Sequence, residues 1–208
     1  PFLRFKFALQ ANTGNSISDL ESQQKISDWK AEMAKHEESM PLILENENFF
    51  LPQRKISITS TPTREQDVIA LFNQLIAGGV IRGLRSMSTN ERTSYDGLYR
   101  IVIEEPIEHH LYNDNKNPLG ISEFAIPNDL PLIMEPKILE YKFNLDALFE
   151  DISNGSKNSN DLDLLVVWES GSNYEEHYKI TSLLDPDNLN LRLYHGVTHI
   201  ATNINTDQ

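Results

Sequence analysis

The chain has no cysteine among its 208 residues. That removes disulfide frameworks, thiolate zinc sites and cysteine nucleophiles together. It fits a reducing compartment, and a cytoplasmic location is the expectation. No apolar run is long enough to span a bilayer, so no membrane partner is expected. Phe2–Phe7 carries charges where a secretory leader would carry an apolar centre. The sequence begins at Pro1 rather than methionine, as a fragment of a longer protein would. There is neither a glycine-rich phosphate loop nor a Gly-x-Ser-x-Gly, which leaves a P-loop nucleotide site and a serine hydrolase without support. Positive charge is scarce: 18 Lys and Arg face 31 Asp and Glu, for a net −13. This argues against a generic nucleic-acid coat protein. It does not exclude a nuclease, for which local charge decides.

What the chain does have is 39% apolar residues, enough for a real core. The expected organisation is an arm over residues 1–60 and a domain over 61–208. In the arm, Phe2–Leu9 reads as a strand. A helix from Ile17 to about Lys35 follows, with Ile26, Trp29 and Met33 on one face and Ser16 or Ser18 as its cap. A short strand over Lys55–Thr59 is also expected. The domain opens with Thr63 as N-cap and Gln66 three residues on, a capping box. Val68, Phe72, Leu75 and Ile76 form one apolar helix face, and Gly78-Gly79 ends it. Strands are predicted over Ile81–Met87, Tyr95–Ile103 and Lys137–Phe143, then a short helix through Leu145, Leu148, Phe149 and Ile152. Leu162–Trp168, broken only by Asp163, reads as a central strand buried on both faces. Further strands or an appended helix are expected over Tyr178–Leu184 and Leu191–Ala201. Residues 104–136 lack periodicity and read as a long insertion, with short strands near Ile121–Ile126. A hairpin followed by strand, helix and strand predicts an α/β fold with a mixed central sheet and helices on both faces.

Chemistry concentrates at Glu65, Asp96, Glu140 and Lys142. Glu140 and Lys142 are two apart in an apolar strand and so share a face. Asp96 heads the preceding strand and Glu65 lies in the first turn of the helix. Three carboxylates and one lysine suit a magnesium-dependent phosphodiesterase: the acids hold a hard cation, and the ammonium helps stabilise the transition state. Each residue also has a plainer reading. Glu140–Lys142 is a cross-sheet ion pair, Asp96-Gly97 a turn, and Glu65 an acid favoured by the helix dipole. Arg82, Arg85, Arg92 and Arg100 surround Asp96 in sequence and read either as a phosphate-facing group or as a solvated edge. His195 and His199 would share an ion only on a helix, and Gly196, Val197 and Thr198 favour a strand. His109-His110 reads as surface loop.

The order of elements and the four polar positions resemble the PD-(D/E)xK nuclease superfamily over roughly residues 61–170. Glu65 matches the family's helix glutamate, Asp96 its second-strand aspartate and Glu140-Tyr141-Lys142 its (D/E)-x-K. Tyr95 stands where the family name puts proline, and the interval from Asp96 to Glu140 is long. The resemblance implies a restriction-endonuclease-like fold acting on DNA. Asp96, Glu140 and the Tyr141 backbone carbonyl would bind Mg²⁺ (or Mn²⁺), Glu65 would assist through water, and Lys142 would orient the attacking water. The segment Glu65–Trp168 with Tyr194–His199 also looks like C-terminal regions of bacterial histidine-kinase-type (GHKL) ATPases and defence proteins. Two further readings stand beside the nuclease. One is an inactive nuclease-like fold serving dimerisation or sensing inside a larger ATPase, with an upstream ATPase domain or a second copy as partner. The other is an interaction module whose insertion binds a protein.

Overall fold

Described in a computed structural model are residues 24–36, 56–58, 60–89 and 94–204. A helix runs through residues 24–36 (α1), followed by α2 (Glu65–Ala77), β1 (Leu84–Thr89), β2 (Gly97–Ile103), β3 (Leu132–Ile133) and β4 (Lys137–Asn144). Then come α3 (Leu145–Ser153), β5 (Leu164–Glu169), β6 (Tyr178–Ser182) and β7 (His199–Asn203). The main sheet has the order β1-β2-β4-β5, with β3 pairing β2, and β6-β7 form a separate antiparallel pair. β2 runs antiparallel to both β1 and β4, whereas β4 and β5 are parallel and joined through α3. The fold is therefore α/β with a mixed central sheet and few helices.

α2 forms because Val68, Leu71, Phe72 and Leu75 recur at helical spacing, and all four are buried. Phe72 meets the Tyr141 ring edge-on at 5.7 Å, inside a core that includes Leu84, Tyr99, Ile101, Ile103, Ile121 and Leu139. Each such side chain, fully buried, contributes about 1.5–3 kcal/mol. The helix ends as expected. Gly79 takes φ +77, and the Val80 amide donates to the Leu75 carbonyl at 2.9 Å. Its start departs from the capping box. Arg64 is the N-cap residue without a side-chain bond, and Asp67 reaches back instead, accepting from Thr63 N at 3.1 Å and Thr63 Oγ1 at 3.0 Å.

Three other expectations are corrected. β5 lies at the edge of the sheet and is half-buried, not central, because among the described residues no strand pairs with its outer side. Asp163 sets its start, holding Ile138 N at 2.8 Å and Lys137 Nζ at 2.7 Å. β1 begins only at Leu84, because Arg82 and Gly83 turn the chain; Met87 is the extra residue of a bulge on this exposed edge. The stretch expected as strands near Ile121–Ile126 is a bridge from Ile121 to Leu111 followed by a 3₁₀ turn, Glu123–Ala125.

The insertion is packed rather than looped out. Ile121 is fully buried, Leu119 and Asn117 nearly so, and β3 adds to the sheet through Leu132 and Ile133. Leu119 joins a second core with Ile56, Leu71, Leu75 and Val80. Residues 56–58 adopt no strand. The strand expected at Phe2–Leu9 and the caps at Ser16 and Ser18 lie outside the described residues. In α1 the apolar face is largely uncovered: Ile26 and Trp29 are exposed and Met33 is half-buried. The helix touches the domain at its end, where His36 Nδ1 and Thr61 Oγ1 are 2.8 Å apart, and at its middle, where the Arg64 guanidinium lies 5.5 Å over the Trp29 ring.

Candidate functional site

Register brings the predicted residues together. Gly97 of β2 faces Leu139 of β4, so Asp96, one residue earlier, comes level with Glu140. Its carboxylate accepts the Tyr141 amide at 2.7 Å. Alternation then divides β4. Leu139 and Tyr141 enter the core with Phe72, while Glu140 and Lys142 point to the other face. The α3 crossover lies there, and Lys142 Nζ is 3.0 Å from Asp151 Oδ2. The same ammonium is 3.2 Å from Glu140 Oε1 and 3.8 Å from Glu65 Oε2, at the first turn of α2.

Glu140 is the centre of this group. It has no exposed surface, and its Oε1 receives both Lys142 and Lys157. Its second oxygen, Oε2, is buried without a hydrogen-bond partner. A buried carboxylate oxygen left unpaired is costly, so it marks a place where a further cation or donor would be stabilising. Burial raises the Glu65 carboxyl above its ordinary value; Lys142 opposes that shift, and the Asp96 and Glu140 charges reinforce it. Asp96 and Glu140 are thus electrical neighbours of Glu65. Burial alone would lower the Lys142 ammonium, but its bonds to Asp151 and Glu140 outweigh that and raise it. The charged form of Lys142 is thus the favoured one.

Two members of the group went unforeseen. Asp151 had a readable signal: Leu145, Leu148 and Asp151 follow at three-residue steps, so the acid lies on the buried side of α3. Lys157 had none, because it follows the helix in a loop. Tyr95 anchors that loop. Its hydroxyl donates to Asp161 Oδ2 at 2.9 Å and accepts from Asn158 N at 3.2 Å, while Lys157 Nζ sits 5.8 Å over its ring.

The donors fit a hard cation in kind, since all are carboxylate or carbonyl oxygens. In this arrangement their charge is met by lysines and by the Tyr141 amide. Among the described residues, no three His, Asp or Glu side chains are gathered closely enough to hold an ion.

The arginines do not form one group: Arg85 and Arg100 stand opposite each other across β1 and β2, while Arg82 lies apart from that pair in register. Arg82 serves as a backbone clamp, with Nε on the Gly79 carbonyl at 2.8 Å and a terminal nitrogen on the His109 carbonyl at 2.9 Å. Arg85 pairs with Glu104 at 2.8 Å. Arg100 is half-buried, and Arg92 lies outside the described residues.

His195 is a core residue, separate from His199. Its Nδ1 accepts the Arg82 amide at 3.2 Å, so Nε2 carries the proton and donates to Asn117 Oδ1 at 2.7 Å. His199 opens β7, its Nδ1 2.9 Å from Thr198 Oγ1. His109 is exposed as expected, but His110 is buried, because Gly83 leaves room for its ring. Compared with known proteins, the chain matches no family model, no curated protein and no solved structure.

Proposed function

We propose that this chain is a Mg²⁺-dependent (or Mn²⁺-dependent) nuclease domain that hydrolyses DNA phosphodiesters, built on a restriction-endonuclease-like sheet and belonging to a larger restriction or defence protein. One observation carries the reading: a fully buried Glu140 with one oxygen on lysines and the other unpartnered, beside Asp96, Glu65 and Lys142. Buried titratable groups clustered this way are more common at functional sites than elsewhere. Asp96, Glu140 and the Tyr141 carbonyl would hold the ion, with Glu65 assisting through water. When bound, the ion supplies Lewis-acid polarisation and a more acidic water. Lys142, permanently charged, orients that water and offsets charge developing on the phosphate. Tyr141, anchored in the core by Phe72, fixes the strand so that its neighbours on either side present their side chains together. An upstream ATPase domain and a second copy of the chain are the partners this reading carries, in a cytoplasmic setting.

The test is conversion of supercoiled plasmid to nicked or linear DNA with Mg²⁺ or Mn²⁺, set against EDTA. Cleavage that needs the metal supports the reading, and no cleavage with either metal sinks it. The second reading, a non-catalytic nuclease-like module, draws on the net charge of −13 and on the lysine-saturated acids. It predicts no cleavage and no affinity for DNA at low salt with Ca²⁺ in place of Mg²⁺.

A further inference from the structure

Glu140 Oε1 carries two ammonium groups while Oε2 carries none. A divalent ion engaging this carboxylate would meet two like charges at contact distance, so one lysine has to withdraw. The two are held differently. Lys142 projects from the interior of β4, which is paired on both sides, and it is bound to Glu140, Asp151 and Glu65. Lys157 projects from the loop after α3. Beyond Glu140, its contacts among the described residues are Asp151, at 4.0 Å, and the face of Tyr95. Its tether is a compact turn. The Ser156 and Lys157 amides both donate to the Asp151 carbonyl, at 3.0 and 3.1 Å. Gly155 turns at φ +77 with nothing within 4 Å of where its Cβ would stand.

Charge points the same way. Among the described residues, Glu65, Glu140 and Asp151 are ion-paired with Lys142 and Lys157, and the Asp96 charge stands near Glu65; four acids beside two lysines leave an excess of negative charge that one divalent cation matches.

We propose that Lys157 is a displaceable counter-ion: it holds Glu140 while no divalent cation is bound and yields its place when one arrives, so it sets the affinity of the site. The inference rests on the metal-binding reading of Glu140. Lys157 acts through Glu140 and is a positioning residue. While it occupies the carboxylate, only a fraction of molecules are competent to bind an ion, and the apparent affinity falls by that fraction.

The test is a calorimetric Mn²⁺ titration of the whole chain, in the parent, Lys157→Met, Lys157→Arg and Glu140→Gln, with thermal melts alongside. Lys157→Met should bind Mn²⁺ roughly tenfold more tightly than the parent. Lys157→Arg should stay near the parent. Without metal, Lys157→Met should melt below the parent, and Mn²⁺ should raise its melting temperature by more, a pattern that a purely structural lysine would not produce. If Lys157→Met does not fold, Lys157→Gln, which leaves Glu140 a donor, carries the same expectation. Equal or weaker binding by Lys157→Met, or by Lys157→Gln in its place, with Glu140→Gln still abolishing binding, overturns the counter-ion role and leaves the metal site standing. Binding that survives Glu140→Gln, or no binding by any form, overturns the site and the counter-ion role together.

Discussion

At the scale of single residues, the cluster's stability and its chemistry pull on the same side chains. A lysine that serves only the reaction could be removed without harm to the fold. Lys142, however, is 3.2 Å from a carboxylate with no exposed surface. Lys142→Ala should therefore abolish cleavage and also lower unfolding free energy by about 1–3 kcal/mol, with Lys157 limiting the loss. Urea denaturation checks the second part, and an unchanged midpoint would mean that Lys157 alone neutralises Glu140. Asp96 presents the same tension. Clustered acids repel, so Asp96→Ala relieves charge. It also leaves the Tyr141 amide without its 2.7 Å acceptor. The lost bond should win, and the variant should be destabilised by about 1 kcal/mol. A rise in midpoint would show that repulsion dominates. Glu65, Asp96, Glu140 and Lys142 were legible because strand alternation and helix position need only local pattern. Asp151 lay half within reach, on the buried side of a short helix. Lys157 was not legible, since its place at Glu140 depends on how the loop is anchored to Tyr95, 62 residues earlier in the chain.

At the scale of elements, the long periodic segments were readable and their ends and neighbours less so. α2 and its glycine stop, β2, β4 and α3 follow from periodicity and turn chemistry. The α2 start shifted because Asp67 outcompeted Gln66 for Thr63, two local solutions that sequence cannot rank. β5 looked central because its residues are apolar, yet an edge strand covered by helices needs the same composition. The insertion hid its packing in single buried residues rather than in a repeat. Gly120 shows how tightly it is packed: a Cβ there would stand 2.4 Å from the Leu111 carbonyl carbon and oxygen. Because those atoms are backbone, Gly120→Ala should cost at least about 2 kcal/mol. Gly155→Ala, strained only by its φ of +77 in open space, should cost about 1 kcal/mol. Chemical denaturation of the two variants tests the ranking, and the reverse order would contradict the packed insertion.

At the scale of the molecule, polar groups buried far from the candidate site tie the C-terminal segment to the insertion. Arg192 is 1% exposed and donates to the Pro118 and Gly120 carbonyls at 2.7 and 2.8 Å and to the Leu183 carbonyl. His195 joins Arg82 to Asn117. Composition could not reveal these, because Arg and His are ordinarily exposed. They have a pH consequence. Burial, reinforced by nearby positive charge, pushes the His195 imidazole down to about 3 from its ordinary 6.5. Below about 6.5 the unfolded chain takes up a proton that the folded chain refuses. Stability should thus be lost as pH falls from about 6.5 towards 3, at up to about 1.4 kcal/mol per pH unit. His110 and His199 are shifted the same way and steepen the slope. Glu65, raised in the folded state, opposes it by taking up a proton more readily when folded. Urea midpoints at pH 7, 5.5 and 4.5 read the slope, and His195→Asn should flatten it. An equal slope in that variant would place the acid sensitivity elsewhere.

The account stands or falls on whether the acids around Lys142 form a hydrolytic metal site. The most direct measurement is single-turnover cleavage of plasmid DNA in Mg²⁺ by the parent and by Glu140→Gln, which keeps the shape of the side chain, with circular dichroism confirming that both are folded. The parent should cleave, and the variant should lose activity by about a thousandfold or more, the scale of removing a group that stabilises the transition state electrostatically. Equal cleavage by the two folded proteins, or none by the parent in Mg²⁺ or Mn²⁺, would contradict the account.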